Sequence, residues 1–204
     1  MTQPASNSAM WNERFTATPE AYGAAPNAWL VEHAKRIKAG GTVLCLAEGQ
    51  GRNALWLAQQ GFRVTAVDFS PVALEQLQAR AAQLGVEVKT VQADLTKWTP
   101  AENAFDGVAL VFAHFIPEVR ARMHRAAEAA LRPGGVLIVE AFSKLQRGRP
   151  SGGPSDPELL YSAAELVVDF ADMHIVTVEG TATVLDEGPL HQGDARVVRL
   201  VAVR

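Results

Sequence analysis

A glycine turn, Glu48-Gly49-Gln50-Gly51, and an acid further along, Asp68, are the first residues of this 204-residue chain whose types and order suggest chemistry. Glycine lets the backbone turn sharply and approach a ligand with no Cβ in the way. A carboxylate at the end of the following strand can accept hydrogen bonds from both vicinal hydroxyls of a ribose. The pair therefore describes a nucleoside site. The plain alternative is that Asp68 only opens the next turn, since Ser70-Pro71 already makes an N-cap and first-turn pair. Asp94 repeats the layout one strand later. It could accept from an adenine amino group while Leu95 and Phe69 cover the faces of the base, or it could simply cap its own loop. Two histidines, His114 and His191, are the acid/base candidates at the same edge. The bland reading of His114 is a hydrogen bond to a loop carbonyl.

The surrounding elements explain how these residues would meet. Val43 to Leu46 is a near-continuous apolar run, the pattern of a parallel strand covered on both faces. Leu55, Leu57 and Ala58 line a helix that Gly61 ends. A second strand, Phe62 to Val67, delivers Asp68 to the carboxyl edge of the sheet, where open α/β folds bind ligands. An amphipathic helix from Pro71 to Leu84 stops at Gly85, and further strands are expected at Val86 to Val91, Phe105 to Phe112 and Val136 to Ala141. A helix from Pro117 to Leu131 and a sharp Arg132-Pro133-Gly134-Gly135 turn separate the last two. Upstream, Pro26 and Asn27 open a helix to about Lys38. Downstream, Ser162-Ala-Ala-Glu165 is a capping-box pattern for a short helix to about Phe170. His174 to Val184 and about Ala195 to Val203 have no helix between them and must pair as an antiparallel hairpin. The whole predicts an α/β fold with a doubly wound, seven-stranded, mostly parallel sheet and an antiparallel C-terminal hairpin.

With 48% hydrophobic and 20% charged residues, the chain suits a single domain over 1–204. The segment up to residue 25 carries Trp11, Arg14, Phe15 and Tyr22, more aromatic character than a disordered tail, so it is expected to fold over the site as a cover. Residues 142–157 turn to Ser, Gly, Pro and Arg and are expected to form a flexible, lid-like connection over the carboxyl edge. A net charge of -3 without a basic cluster lacks the footprint of a nucleic-acid binder and leaves a small molecule as the expected partner. No stretch approaches about 18 apolar residues, so membrane insertion is not expected. The single cysteine, Cys45, reads as a small buried hydrophobe in a reducing cytoplasm. His33 has no partner at metal-ligand spacing and reads as a packing or helix-surface residue; no metal site is expected. The chain would act as a monomer or homodimer.

Two cofactor readings share these residues. Gly49-x-Gly51-x-x-Ala54 with an acid about twenty residues on satisfies the dinucleotide fingerprint. There, however, the strand runs almost directly into the first glycine, whereas here Ala47 and Glu48 intervene. A dehydrogenase would also not call for Leu131-Arg-Pro-Gly-Gly135 or a terminal hairpin, while a non-catalytic sensor would keep the same cofactor residues. In combination, the five parallel strands, the glycine turn, that LRPGG turn and the hairpin resemble the S-adenosylmethionine-dependent class I methyltransferases, with their Rossmann-like fold, over nearly the whole chain. Within that superfamily, WNERF, YGAAPNAWL, EGQGRNALWLAQQGFRVTAVDFSPVAL and the terminal H-x-G-x-A-x-VVRLVA look like the tellurite-resistance and thiopurine methyltransferase branch. Enzymes of that branch methylate small, soft acceptors. The resemblance implies S-adenosylmethionine as cofactor, with Gly49 and Gly51 passing its methionine end, Asp68 on the ribose, Asp94 and Leu95 on adenine, and Phe112 to Phe115 beside the sulfonium. The family commonly has an acid where Cys45 stands and a glycine where Ala47 stands, which makes Glu48 the replacement contact for the cofactor's ammonium. Arg14 is the best placed cation for the methionine carboxylate, with Trp11 and Tyr22 closing over it; an exposed helix-face arginine is the alternative. His191 resembles the active-site histidine of the branch. A basic residue that can follow it is Gln192 here, which favours a neutral or thiol acceptor over an oxyanion.

Overall fold

The computed structural model describes residues 8–204, so the first seven residues of the expected cover lie outside the described residues. The elements run α1 (Ser8–Ala17), α2 (Ala28–Ala34), β1 (Thr42–Leu46), α3 (Arg52–Gln59), β2 (Arg63–Asp68), α4 (Pro71–Leu84), β3 (Val88–Gln92), β4 (Phe105–Val111), α5 (Pro117–Ala130), β5 (Leu131–Phe142), α6 (Ala163–Asp169), β6 (His174–Asp186) and β7 (Gln192–Val203). One seven-stranded sheet has the order β3-β2-β1-β4-β5-β7-β6. Strands β1 to β5 pair in parallel, and β7 is antiparallel to both β5 and β6. This is the doubly wound architecture expected from the sequence. The winding direction reverses between β1 and β4, and the carboxyl ends of the strands are left open there.

Strand β1 shows why its sequence is apolar without a break. Val43 and Cys45 face one core cluster, with Leu30, Ile37, Leu57 and Leu77. Leu44 and Leu46 face the other, with Met123, Ala127, Leu137 and Phe170. Both faces of the strand are therefore dry. Burial pushes the Cys45 thiol well up from its ordinary range, as befits a small hydrophobe. His33 is likewise a packing residue, buried with its ring 3.9 Å from that of Trp29. Helix ends follow local chemistry. Ser70 Oγ accepts from the Ala73 N–H at 3.1 Å ahead of Pro71, Gly85 ends α4 at φ +66°, and the Ser162/Glu165 capping box is formed in full.

Several boundaries differ from the sequence reading. Helix α2 ends at Ala34, where the Arg36 and Ile37 N–H groups bond to the carbonyls of His33 and Ala34 and tighten the chain. Strand β5 starts at Leu131, which pairs with Phe105 before Val136 pairs with Gly107, so Arg132 to Gly135 bulge out of the ladder instead of forming a turn outside it. Both hairpin arms are longer than expected and pair as far as Asp186 and Gln192, leaving a short link that carries His191 to the sheet's carboxyl edge. The N-terminal segment folds as α1 against α4, burying Phe15, Ala21 and Ala73 together. The connection after β5 has short 3-10 turns at Lys144–Gln146 and Pro157–Leu159. Buried Gln146 anchors it, accepting from the Arg196 N–H at 2.7 Å and donating to Ser151 Oγ at 2.8 Å. Among the described residues no helix is long and apolar enough to cross a membrane.

Candidate active site

The open strand ends form the floor of a cavity of about 720 Å³, with α1 on one side and residues 152–156, Leu190 and His191 on another. Trp11, Arg14, Glu48, Gly49, Gly51, Asp68, Phe69, Asp94, Leu95, Phe112, His114 and His191 all line it, so the fold brings every sequence-derived site residue to one place.

At the cavity's polar end, each oxygen of the Asp68 carboxylate accepts one backbone N–H, Gly49 to Oδ2 at 2.8 Å and Ser70 to Oδ1 at 2.9 Å. Burial raises the carboxyl's pKa, and these bonds pull against that rise. A carboxylate has about four lone-pair directions, so one per oxygen remains for the two hydroxyls of a ribose. Asp68 thus opens its turn and keeps an acceptor direction on each oxygen facing the cavity. The glycines answer mainly to neighbours in the fold. Gly51 has φ +88°, and a Cβ there would lie 2.4 Å from Leu77 Cγ. At Gly49, φ +62°, a Cβ would lie 3.3 Å from Phe15 Cζ, so its bareness lets α1 settle on the turn.

Glu48 sits beneath this turn. Its Oε1 accepts from Asn53 N at 3.0 Å and Ala54 N at 2.8 Å, capping the first turn of α3. Burial pushes its carboxyl up to about 7 despite those bonds and the nearby Arg52. Ala47 adopts φ +54° at the end of β1, a conformation in which glycine costs least, and this is the position where the resembled family commonly has glycine. Phe112 adopts φ +53° at the end of β4. Two strained non-glycine residues at the carboxyl edge are what a functional site would maintain.

Asp94 caps its own loop, with Oδ1 accepting from Thr96 N at 2.9 Å and Thr96 Oγ1 at 2.6 Å. Burial raises its pKa, but Thr96 and Lys97 outweigh burial and hold the carboxyl below its usual range. The second oxygen, 3.7 Å from Lys97 Nζ, faces a well exposed ammonium. Arg14 is not free on a helix face. It donates to Tyr22 Oη at 3.0 Å and stacks 4.6 Å from the Trp11 ring centre, leaving other guanidinium donors for an anion.

The far end is aromatic. The His191 ring lies 4.5 Å from Tyr22, 4.6 Å from Phe112 and 5.1 Å from Phe142. His114 follows its bland reading: Nδ1 donates to the Leu159 carbonyl at 2.7 Å, and Nε2 accepts from the Phe142 N–H at 3.4 Å. Burial pushes it down to about 4, so the ring is neutral with both nitrogens occupied. His191 differs. Its Nδ1 lies 3.4 Å from Glu187 Oε2, and its Nε2 has no hydrogen-bond partner among the described residues.

Sequence reasoning missed the buried polar network behind this end. Asn27 Nδ2 donates to Glu140 Oε1 at 2.7 Å and to Glu187 Oε1 at 3.0 Å, Arg52 pairs with Glu187 Oε2 at 2.8 Å, and Arg199 pairs with Glu140. Glu140 did carry a signal. A lone acid inside the apolar run Val136 to Phe142 must find buried partners, because an unpaired buried charge costs several kcal/mol. Among the described residues no group of three or more His, Cys, Asp and Glu could hold a metal ion.

The strand order, with its reversal between β1 and β4, is that of a Rossmann-like methyltransferase fold. Residues 43–135, a little under half of the chain, match the family model described as a methyltransferase domain. The chain is 36% identical over 117 residues to the ribosomal protein L11 methyltransferase of Pelotomaculum thermopropionicum, with 56% of this chain and 36% of that protein aligned. It therefore spans about a third of that relative's length. A solved structure concerned with the conversion of a disulfide bond into a thioacetal group during echinomycin biosynthesis superposes with a TM-score of 0.75 at 23% identity, over 97% of this chain and 92% of that one. TehB from Haemophilus influenzae superposes with a TM-score of 0.76 at 18% identity, over 95% of this chain and 67% of TehB. At those identities the two structures establish the fold.

Proposed function

We propose that this protein transfers a methyl group from S-adenosylmethionine to a small, soft acceptor, a thiol or a metalloid, and that it stands on the tellurite-resistance and thiopurine side of the class I methyltransferases. One observation carries the reading: the cavity is polar at one end and aromatic at the other, around His191. Among the described residues the arginines lining it are Arg14, held by Tyr22, and Arg52, paired with Glu187. Such an aromatic end suits a neutral or easily desolvated acceptor better than a hydrated oxyanion.

When bound, S-adenosylmethionine supplies a methyl group on a positively charged sulfur. Asp68 would hold the ribose through its two remaining acceptor directions, Asp94 would meet the adenine amino group, and Leu95 and Phe69 would cover the base. Gly49, Gly51 and Glu48 would border the methionine end, where Arg14 and Trp11 would meet the carboxylate. Phe112, beside the reacting methyl, would keep water out with Phe142 and Tyr22, and position and desolvation would supply most of the rate. His191 is the acid/base or orienting group, while His114, with both nitrogens engaged, shapes the pocket. The acceptor is a small molecule, not a nucleic acid or membrane surface. The protein acts as a monomer or homodimer in a reducing cytoplasm, which suits an unpaired cysteine.

The test is an assay for S-adenosylhomocysteine over a panel of thiols and metalloid oxyanions, run beside calorimetry with the cofactor. Turnover with thiols is expected. Cofactor binding without turnover for any acceptor would instead make the protein a sensor, and absence of cofactor binding would remove the whole reading.

A further inference from the structure

We infer that Glu187 is a positioning residue, holding the His191 imidazole with its proton on Nδ1 so that Nε2 is the nitrogen that takes the acceptor's proton; this rests on the methyl-transfer reading above. The link between β6 and β7 is built for that purpose. Glu187 N–H donates to the His191 carbonyl at 2.9 Å and His191 N–H to the Gly188 carbonyl at 3.1 Å, so the backbone fixes the two side chains relative to each other. An ionised carboxylate can only accept, so the 3.4 Å approach of Glu187 Oε2 requires the proton to be on Nδ1. Glu187 is kept ionised from two directions, by Arg52 at 2.8 Å on Oε2 and by Asn27 Nδ2 at 3.0 Å on Oε1. Burial works against this, yet the bond with His191 itself and then Arg52 and Asn27 hold its carboxyl down at about 2.

The rest of the pocket keeps the ring from turning. A Cβ on Gly152 would lie 2.8 Å from His191 Cδ2, so the connection after β5 presses its bare backbone against the ring edge, and Tyr22, Phe112 and Phe142 close round the remainder. The charged and titratable groups bearing on His191 are Glu187 on its own link, Arg52 of α3, Glu140 of β5, His114 after β4 and the Tyr22 phenol packed on the ring. Burial lowers the imidazole's pKa first, Glu187 and Glu140 raise it, and Arg52 lowers it, leaving the ring neutral and ready to accept. With a thiol acceptor the balance is complete. The S–H proton passes to Nε2, a sulfur lone pair forms the new S–C bond, and the old methyl–sulfur bond breaks with its electron pair on the departing thioether. The imidazolium is compensated by Glu187 until its proton passes to water.

The experiment uses the full chain labelled with nitrogen-15 histidine, the His191 signals being assigned by their loss in His191→Asn. Without cofactor or acceptor at neutral pH, the wild-type spectrum should show Nδ1 protonated and Nε2 bare. A wild type with Nε2 protonated overturns the inference, whether or not any acceptor is ever methylated, so this failure is distinct from failure of the methyl-transfer reading. Glu187→Gln should admit the second tautomer, lower the pKa of His191, change the Kd for S-adenosylmethionine less than twofold and lower kcat at least tenfold; Glu187→Asp should recover part of that loss. An unchanged spectrum and kcat in Glu187→Gln would equally overturn it. Should Glu187→Gln not fold, because Arg52 is left without its counter-charge, the wild-type spectrum alone decides.

Discussion

Replacing Asp68 by alanine tests the nucleoside end of the cavity most directly. Its two oxygens accept Gly49 N–H and Ser70 N–H at 2.8 and 2.9 Å, which leaves one acceptor direction on each for a ribose hydroxyl. A hydrogen bond to a charged group contributes about 1.5 to 3 kcal/mol. Two such bonds, discounted for the water that fills the vacated site, give a loss of about 2 to 4 kcal/mol, or roughly 30- to 800-fold in Kd. The same change strands two backbone donors next to a buried side chain, so stability should fall by about 1 to 3 kcal/mol. Calorimetric titration with S-adenosylmethionine gives the first quantity and urea denaturation the second. Asp68→Asn, whose amide still offers one oxygen, should lie between wild type and alanine. A Kd within threefold of wild type in a folded Asp68→Ala protein would refute the placement of the ribose, and with it the assignment of the polar end.

His191→Ala should lower kcat by roughly 10- to 1000-fold, the scale of a positioned acid/base or orienting group, while cofactor titration stays nearly unchanged. Unchanged turnover for every accepted substrate would make the residue structural. Residues 11–22 and 142–157 should become protected from limited proteolysis at saturating S-adenosylmethionine, since both stretches contribute walls of the cavity; equal cleavage with and without cofactor would show that neither acts as a lid. His114 titrates at about 4 in the folded chain against an ordinary 6.5, so the folded state binds fewer protons between those values and loses stability as pH falls through that window. His114→Gln removes this term. Its stability relative to wild type should improve by up to about 3 kcal/mol between pH 7 and pH 4, an upper figure because water in the cavity reaches the ring; parallel pH profiles would contradict it.

The alternation of strands and helices, the caps and the place of Asp68 at the sheet edge were legible in the sequence because each depends on residues a few positions apart. Val43 to Leu46 are all apolar because both faces of β1 are covered, Ser70 caps the N–H three residues on, and Asp68 reaches the edge simply by ending its strand. Other features depend on strand order, which no local pattern encodes. The Asn27–Glu140 and Arg52–Glu187 contacts join residues 113 and 135 positions apart, and only the folded sheet brings them within hydrogen-bond reach. The same holds for the two histidines, which the sequence leaves as alternatives. Leu159 and Phe142 occupy both nitrogens of His114, whereas the short link between β6 and β7 turns Nδ1 of His191 towards Glu187 and leaves Nε2 without a partner among the described residues. Residue type put chemistry at both positions. Tertiary structure decided which ring is free to use it, because a hydrogen-bond partner is a matter of distance in space, and those partners come from distant parts of the chain.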